Sequence, residues 1–291
     1  MNSIHEILNW IKNLSIEESL ISIFFIFLLC EWIFGRLKRL KIHETKDSVR
    51  NFLIGAISFF SDFLFTILTI PIWLYMFSHL KLFTFDQENW LSFFILFILL
   101  DFSEYWFHRL SHEVNLLWSA HIVHHQSSFF NLTVGLRTSI FVPFFNIFFY
   151  SLFPILGFSP ENVLLVILIQ GIYQLLIHTE LIGKLGILEY LIVTPSTHRV
   201  HHGKNEIYID KNYGKCLVFW DQLFGTYQKE TEKVEFGITK PLKKSGAIYS
   251  TIYPFQKLVK ALILTKNKKD RKIILFNKPA EAEEIVDGNR V

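Results

Sequence analysis

Trp90-Leu-Ser-Phe-Phe-Ile-Leu-Phe-Ile-Leu-Leu-Asp101-Phe-Ser-Glu104-Tyr105-Trp-Phe-His108-Arg109-Leu-Ser-His112-Glu113 begins as a membrane span and ends as a pair of imidazoles one helical turn apart. Its first eleven residues carry no charge, and its last carry two histidines at i and i+4, which share one helical face. Two further clusters follow the same logic: His121-Ile-Val-His124-His125 and His198-Arg-Val-His201-His202. Each can aim two or three ring nitrogens at a common point. His178, at the end of another apolar run, offers a ninth donor. A lone histidine beside a membrane is more often a hydrogen-bonded core or interface residue, and one HxxxH is weak. Two HxxHH repeats together with an HxxxH are hard to reach without metal binding.

Working outward, the rest of the chain reads as five membrane segments: about 20–34, 52–80, 90–108, 139–157 and 162–182. A helix needs roughly 20 apolar residues to cross the hydrocarbon. Pro71 is placed to kink the second, and Gly157-Phe158-Ser159-Pro160 turns the fourth into the fifth. Mean hydropathy is positive, and 51% of the 291 residues are apolar, which is high for a soluble domain. No removable signal peptide is visible. The loop after the first segment holds Arg36, Lys38, Arg39, Lys41, Lys46 and Arg50, whereas the next holds only Lys81 and the fourth–fifth turn no basic residue. The positive-inside rule puts that first loop in the cytoplasm. Alternation then brings all nine histidines to the cytoplasmic ends of spans.

Nine donors exceed what one zinc or iron takes, so the count argues for two metals. Cys30 and Cys216 form neither a disulfide framework nor a CxxC pair. HExxH is absent, since Val114 and Asn115 follow His112-Glu113. The Glu-x-x-His pairs of soluble di-iron bundles are not present either. Imidazole alone does not choose the metal, but zinc cannot activate O2, and a lipid partner with no hydrolysable group favours iron. The reading is therefore a polytopic membrane protein with a histidine-rich, two-metal site at the cytoplasmic ends of its spans, iron being the useful metal. Residues 1–90 supply N-terminal spans, 91–228 the catalytic domain and 229–291 a basic, membrane-surface region. Within the last, 248–264 alternates apolar residues with lysines, as an amphipathic segment on anionic lipid would, and the acidic tail from Pro279 is expected to be mobile.

Metal-bound histidines usually donate their second ring N–H to a carboxylate or carbonyl. Asp101 and Glu104, seven and four residues before His108, share its helical face. Glu113, Asp210 and Asp221 lie near clusters, and Asn212 sits among them; ordinary salt bridges to Arg109, Arg137 or Arg199 are the competing reading. Asp101 is the strongest, because a carboxylate near the end of a span is costly without a partner. With Glu113 it is the candidate for a catalytic carboxylate. Asp62, inside the second segment, either lines a cavity or bonds Ser58, Ser61 or a neighbouring helix. His5, His43 and His79 are isolated and receive no role.

Together these blocks resemble the fatty acid hydroxylase/sterol desaturase superfamily of membrane di-iron oxygenases. The likeness covers most of Asp101 to Tyr227. It includes Leu117-Trp118-Ser-Ala-His121, Asn131-Leu-Thr-Val-Gly-Leu-Arg137, Thr194-Pro-Ser-Thr-His198, Asp210-Lys-Asn-Tyr-Gly214 and Trp220-Asp-Gln-Leu-Phe-Gly-Thr226. Within it the wording is most similar to the branch that oxidises alkylglycerol ether lipids. Gln174 stands where the 2-hydroxylase branch is expected to have a tenth histidine, leaving a coordination position for water. The resemblance implies an all-α, polytopic membrane protein with a cytosolic helical cap carrying a histidine-rich di-iron site, and with it two iron ions, O2, a lipid substrate in the bilayer and hydroxylation of an alkyl carbon. It also implies a separate electron donor, either tetrahydrobiopterin or a cytochrome b5 or ferredoxin-type protein. No nucleic-acid partner is expected. Sterol or carotenoid hydroxylation, desaturation, and a non-enzymatic metal protein remain open alternatives.

Overall fold

The computed structural model describes residues 15–242 and 246–288, with side chains from Ser22 onward. His5 and the start of the first expected span lie outside the residues so described. Twelve α-helices, and no strands, occur among the described residues; two isolated bridges, Ile192–Leu217 and Gly203–Phe236, are the only β pairings there.

Helices α1 (Ser15–Leu37) and α2 (Thr45–Tyr75) are joined by the basic loop. Glu44 caps α2 by accepting from Asp47 N at 2.7 Å. α2 runs on into a π-helical turn, Met76–Leu80, one residue past the turn that follows Pro71. α3 (Trp90–Glu113) begins at Asn89, whose side chain accepts from Leu91 N. Two helical stretches among the described residues, Thr45–Leu80 and Trp90–Glu113, are long and apolar enough to cross a membrane. Their outer faces are consistent with that: Phe59 is 71% exposed, Phe60 63% and Leu68 65%, a contiguous apolar surface that water would oppose.

The expected fourth and fifth segments are shorter than predicted. α5 (Val142–Tyr150) and α6 (Leu152–Leu156) break at Ser151, and α7 (Pro160–Leu176) stops before His178. At about 1.5 Å per residue, α7 falls short of the roughly 30 Å hydrocarbon. The break has a local cause: Pro154 has no N–H to donate to the Tyr150 carbonyl one turn earlier, and the Ser151 hydroxyl, accepting from the Trp73 indole N–H at 2.9 Å, ties this point to α2. Trp73, Leu96, Leu100, Tyr150, Phe153, Phe158, Val163 and Val166 form the apolar core between α2, α3, α5, α6 and α7. Asp62 does not bond the serines beside it. Ser58 and Ser61 donate instead to the carbonyls of Thr138 and Ile140, stapling α2 to the segment entering α5.

Beyond α3 the chain turns at Val114 into α4 (Asn115–His125). α8 (Pro195–His201) is opened by a Thr194/Thr197 capping box, and α9 (Phe219–Leu223) is a single turn. Helices α10 (Ala247–Leu264), α11 (Lys268–Phe276) and α12 (Pro279–Gly288) close over α4. Over residues 279–288 the acidic tail is therefore a packed helix rather than a mobile segment. Ala282 is buried, and Ile285 and Val286 lie against the Leu258–Ala261–Ile274 cluster, while Glu283 bridges Lys240 and Lys257, each at 2.8 Å.

Candidate metal centre

α3, α4, α8 and the residues after α7 converge on one point. There the nine histidines divide into two groups whose potential ligand atoms lie within 4.8 Å of one another. His108, His112, His121, His125 and His201 form one group, and His124, His178, His198 and His202 the other. The HxxHH spacing explains the division. His121 and His125, one turn apart, face the first group, and His124 faces the second; likewise His201 faces the first, and His198 and His202 the second.

Backbone carbonyls set the ring orientations. His108 Nδ1 faces Tyr213 O at 2.9 Å, His124 Nδ1 faces Arg137 O at 3.1 Å, His178 Nδ1 faces Gln174 O at 2.6 Å and His201 Nδ1 faces Lys211 O at 3.0 Å. A carbonyl can only accept, so each of these Nδ1 atoms carries the proton and each Nε2 presents a bare lone pair. The Nε2 atoms of His124 and His178 stand 3.2 Å apart. Two lone pairs at that distance repel unless a cation lies between the rings. The Nε2 atoms of His112, His201 and His202 are buried with no hydrogen-bond partner, which is costly for a polar atom. These unpartnered nitrogens are what bound metal would satisfy.

Burial and mutual proximity hold His121, His124, His125, His198, His201 and His202 well below the usual imidazole range, and His178 at about 4. All seven are neutral at pH 7, the form that ligates metal. Phe130, fully buried, covers the four-histidine group, with its ring 5.1–6.1 Å from those of His178, His198 and His202. Gly135 permits the approach on another side, since a Cβ there would stand 3.2 Å from His178 Nδ1 and 3.0 Å from Leu175 Cδ2.

The carboxylates do different work from histidine support. Asp101, fully buried, accepts from Cys216 N (2.8 Å), Leu217 N (3.2 Å) and the Trp220 indole (2.9 Å), clamping the segment before α9 onto α3. Glu104 pairs with Lys215 Nζ at 2.7 Å and keeps a buried, unpartnered Oε1. Glu113 pairs with Arg109 at 3.1 Å, the competing reading given above. Asp221 accepts from Tyr213 N, Gly214 N and Thr226 Oγ1 at 2.7–2.8 Å, shaping the loop whose Tyr213 carbonyl holds His108. Burial raises the Asp221 carboxyl. Asn212, at φ 55°, bonds Thr197 O and Gln228 O, locking α8 to the same loop. Asp210, also at positive φ, stands 3.8 Å from His112 Nδ1, the one carboxylate beside a ligand ring among the described residues. Gln174 sends its side-chain amide to Lys215 O, and its backbone carbonyl serves His178.

Sequence reasoning missed the supporting groups from α1 and α2. Arg137, whose carbonyl orients His124, is itself buried. It donates to Val123 O, Asn51 Oδ1 and Gln126 Oε1 at 2.7–3.0 Å and stands 3.8 Å from Asp47. Glu31 in α1 accepts from Leu132 N and Thr179 Oγ1 and lies 3.3 Å from His43 Nε2, so His43 is not isolated. No local pattern marks the groups from α1 and α2; Asn51 lies 86 positions from Arg137, and Glu31 lies 101 from Leu132 and 148 from Thr179.

A cavity of about 540 Å³ reaches the histidine cluster, with His112, His125, His201 and His202 on its wall. Trp118, Ile122 and Leu258 make it largely apolar, and Lys204 and Lys278 stand among its lining residues.

Residues 93–226, which hold all nine histidines, match the fatty acid hydroxylase family model. The chain is 36% identical over 245 residues to an alkylglycerol monooxygenase of Xenopus tropicalis, covering 84% of this chain and 53% of that protein. It is 38% identical over 223 residues to the human alkylglycerol monooxygenase, covering 76% of this chain and 49% of that one. To the ornithine lipid hydroxylase OlsE of Rhizobium tropici it is 31% identical over 188 residues, 63% of this chain and 53% of that protein. The chain spans about half the length of these relatives. No solved structure matches it significantly.

Proposed function

We propose that this chain is a multi-pass membrane monooxygenase whose nine histidines hold two irons at the cytoplasmic face and which hydroxylates a lipid alkyl carbon with O2. The observation that carries the reading is the five-and-four division of buried and half-buried imidazoles, with the Nε2 atoms of His112, His201 and His202 buried and without partners. The likeness to alkylglycerol monooxygenases extends over most of the chain and favours the ether-linked carbon of an alkylglycerol.

Bound iron would supply O2 activation and the two-electron oxidation of the C–H bond. Balance requires O2, two electrons and two protons per lipid, giving the hydroxylated carbon and one water. At an ether carbon the product is a hemiacetal, which breaks down to an aldehyde and a glycerol. The electrons come from a separate donor, either tetrahydrobiopterin or a cytochrome b5 or ferredoxin-type protein. The chain's own part is orientation and exclusion. Four carbonyl-held Nδ1–H groups fix their rings, Phe130 and Gly135 close the four-histidine side, and the 540 Å³ cavity leaves the other side approachable. Glu113 and Asp101 enter this reading as structural carboxylates acting through Arg109 and the Cys216–Trp220 segment.

A second reading keeps the site and changes the carbon, as the likeness to a protein named for ornithine lipid hydroxylation suggests; sterol or carotenoid oxidation belongs with it. Membranes containing the protein, incubated with ether lipids, ornithine lipids and sterols under O2, separate the two. Aldehyde from the ether lipid supports the first reading, and a hydroxylated ornithine lipid or sterol without aldehyde supports the second.

A further inference from the structure

We infer that α1 and the start of α2 enclose a site for one anionic phospholipid, distinct from the metal centre and from its cavity. A second cavity, of about 560 Å³, lies between these helices. Its lining is sorted by polarity along the helix axes. Phe25, Leu28, Leu29 and Trp32 of α1 face Val49 and Phe52 of α2 at one end; Arg36, Arg39, His43, Thr45 and Ser48 gather at the other. The order is that of a lipid, with the chain deep among apolar walls and the headgroup at the level of the basic loop.

Charge selects the occupant. Among the described residues, neither Arg36 nor Arg39 has a carboxylate within salt-bridge distance, unlike Arg50, which pairs with Asp47 at 3.4 Å. The Arg36 guanidinium lies 4.8 Å above the Trp32 ring, which holds it at the mouth. Arg39 adopts φ 54°, unusual for a residue with a Cβ, and it too lines the cavity. Two unpaired guanidiniums above an apolar slot fit a phosphodiester with net negative charge, since they recognise phosphate oxygens in a fork. A zwitterionic headgroup adds a competing cation at the same level.

The site also touches the support of the four-histidine group. His43, on its wall, lies 3.3 Å from Glu31, which bonds Thr179 beside His178. Thr133, on its floor, accepts from Asn51 at 2.8 Å, and Asn51 accepts from Arg137, whose carbonyl orients His124. An occupied site braces both arms.

The inference rests on α1 and α2 lying in the bilayer, and its test separates the two claims. The full-length protein, purified in a neutral detergent, is titrated with phosphatidylglycerol, phosphatidylcholine and soluble glycerol 3-phosphate, reading bound lipid by native mass spectrometry and thermal stability. Phosphatidylglycerol should bind and raise the melting temperature, with phosphatidylcholine much weaker and glycerol 3-phosphate without effect. The pair Arg36→Gln and Arg39→Gln should weaken phosphatidylglycerol about thirtyfold, at the affinity expected of two basic residues near a surface. Ser48→Trp, which fills the slot and keeps its charges, should abolish binding and covers the case in which the arginine variant fails to fold. Lys38→Gln with Lys41→Gln, on the same loop but off the lining, should bind as the parent does. Equal loss in the two double variants means diffuse surface charge and overturns the site, as does binding by Ser48→Trp or equal affinity for both lipids. Release of the protein from membranes by alkaline carbonate would instead overturn the membrane reading itself.

Discussion

At the scale of single residues, the convergence of nine histidines was legible because the imidazole spacing matches the helical repeat, whereas the groups that hold them were not. Asp101, His108 and Glu104 share a face of α3, yet Asp101 reaches Cys216 N and Trp220 rather than an imidazole, and carbonyls orient the rings. A carbonyl has no residue signature, so sequence could not name it. Asp101→Ala would leave three N–H donors around a buried hole. At roughly 1–3 kcal/mol for each buried donor left unsatisfied, it should lower stability by several kcal/mol, seen as a large fall in melting temperature with metal lost in parallel. Asp101→Asn, which keeps one acceptor oxygen, should fall between it and the parent. Gly135→Val tests the close approach to His178: the added side chain meets Leu175 and the ring within 3.0–3.2 Å. It should reduce metal content at the four-histidine group while leaving the protein in the membrane.

At the scale of elements, the existence of α2 and α3 followed from apolar runs and the amphipathic stretch 248–264 coincides with α10, but α2 starts seven residues before the expected 52–80 segment and α3 runs five residues past the expected 90–108. The break between α5 and α6 has a signal in Pro154, which leaves the Tyr150 carbonyl without its helical donor. The tie of Ser151 to Trp73, 78 positions earlier in the chain, and the docking of α12 on the cluster of α10 and α11 had none. Both depend on tertiary partners. The bonding of α12 divides into two kinds of contact with different weights. Its ion pairs through Glu283 are exposed and worth under about 1 kcal/mol each, while Ile274 is fully buried and its truncation costs roughly 2–5 kcal/mol. Limited proteolysis should therefore cut residues 279–288 readily in Ile274→Ala and little faster than in the parent in Glu283→Gln. The reverse order would mean that charge, not packing, docks the tail.

At the scale of the whole molecule, histidines from four separated stretches meet because α3 and α4 form a hairpin at Val114 and the segments after α7 fold back over it. That convergence makes a strong demand on topology: the basic loop after α1 and the loops around α8 must lie on one side of the bilayer. Single cysteines placed at Lys38 and Lys229, in a background without Cys30 and Cys216, should both react with an impermeant reagent from the cytoplasmic side only. The central claim is nevertheless the pair of metals. Elemental analysis of the protein purified from iron-replete cells, with His201→Ala and His178→Ala alongside, tests it most directly. The account predicts about two irons per chain in the parent, with each variant depleted through a different histidine group. A single tightly bound zinc per chain, retained in both variants, would contradict it.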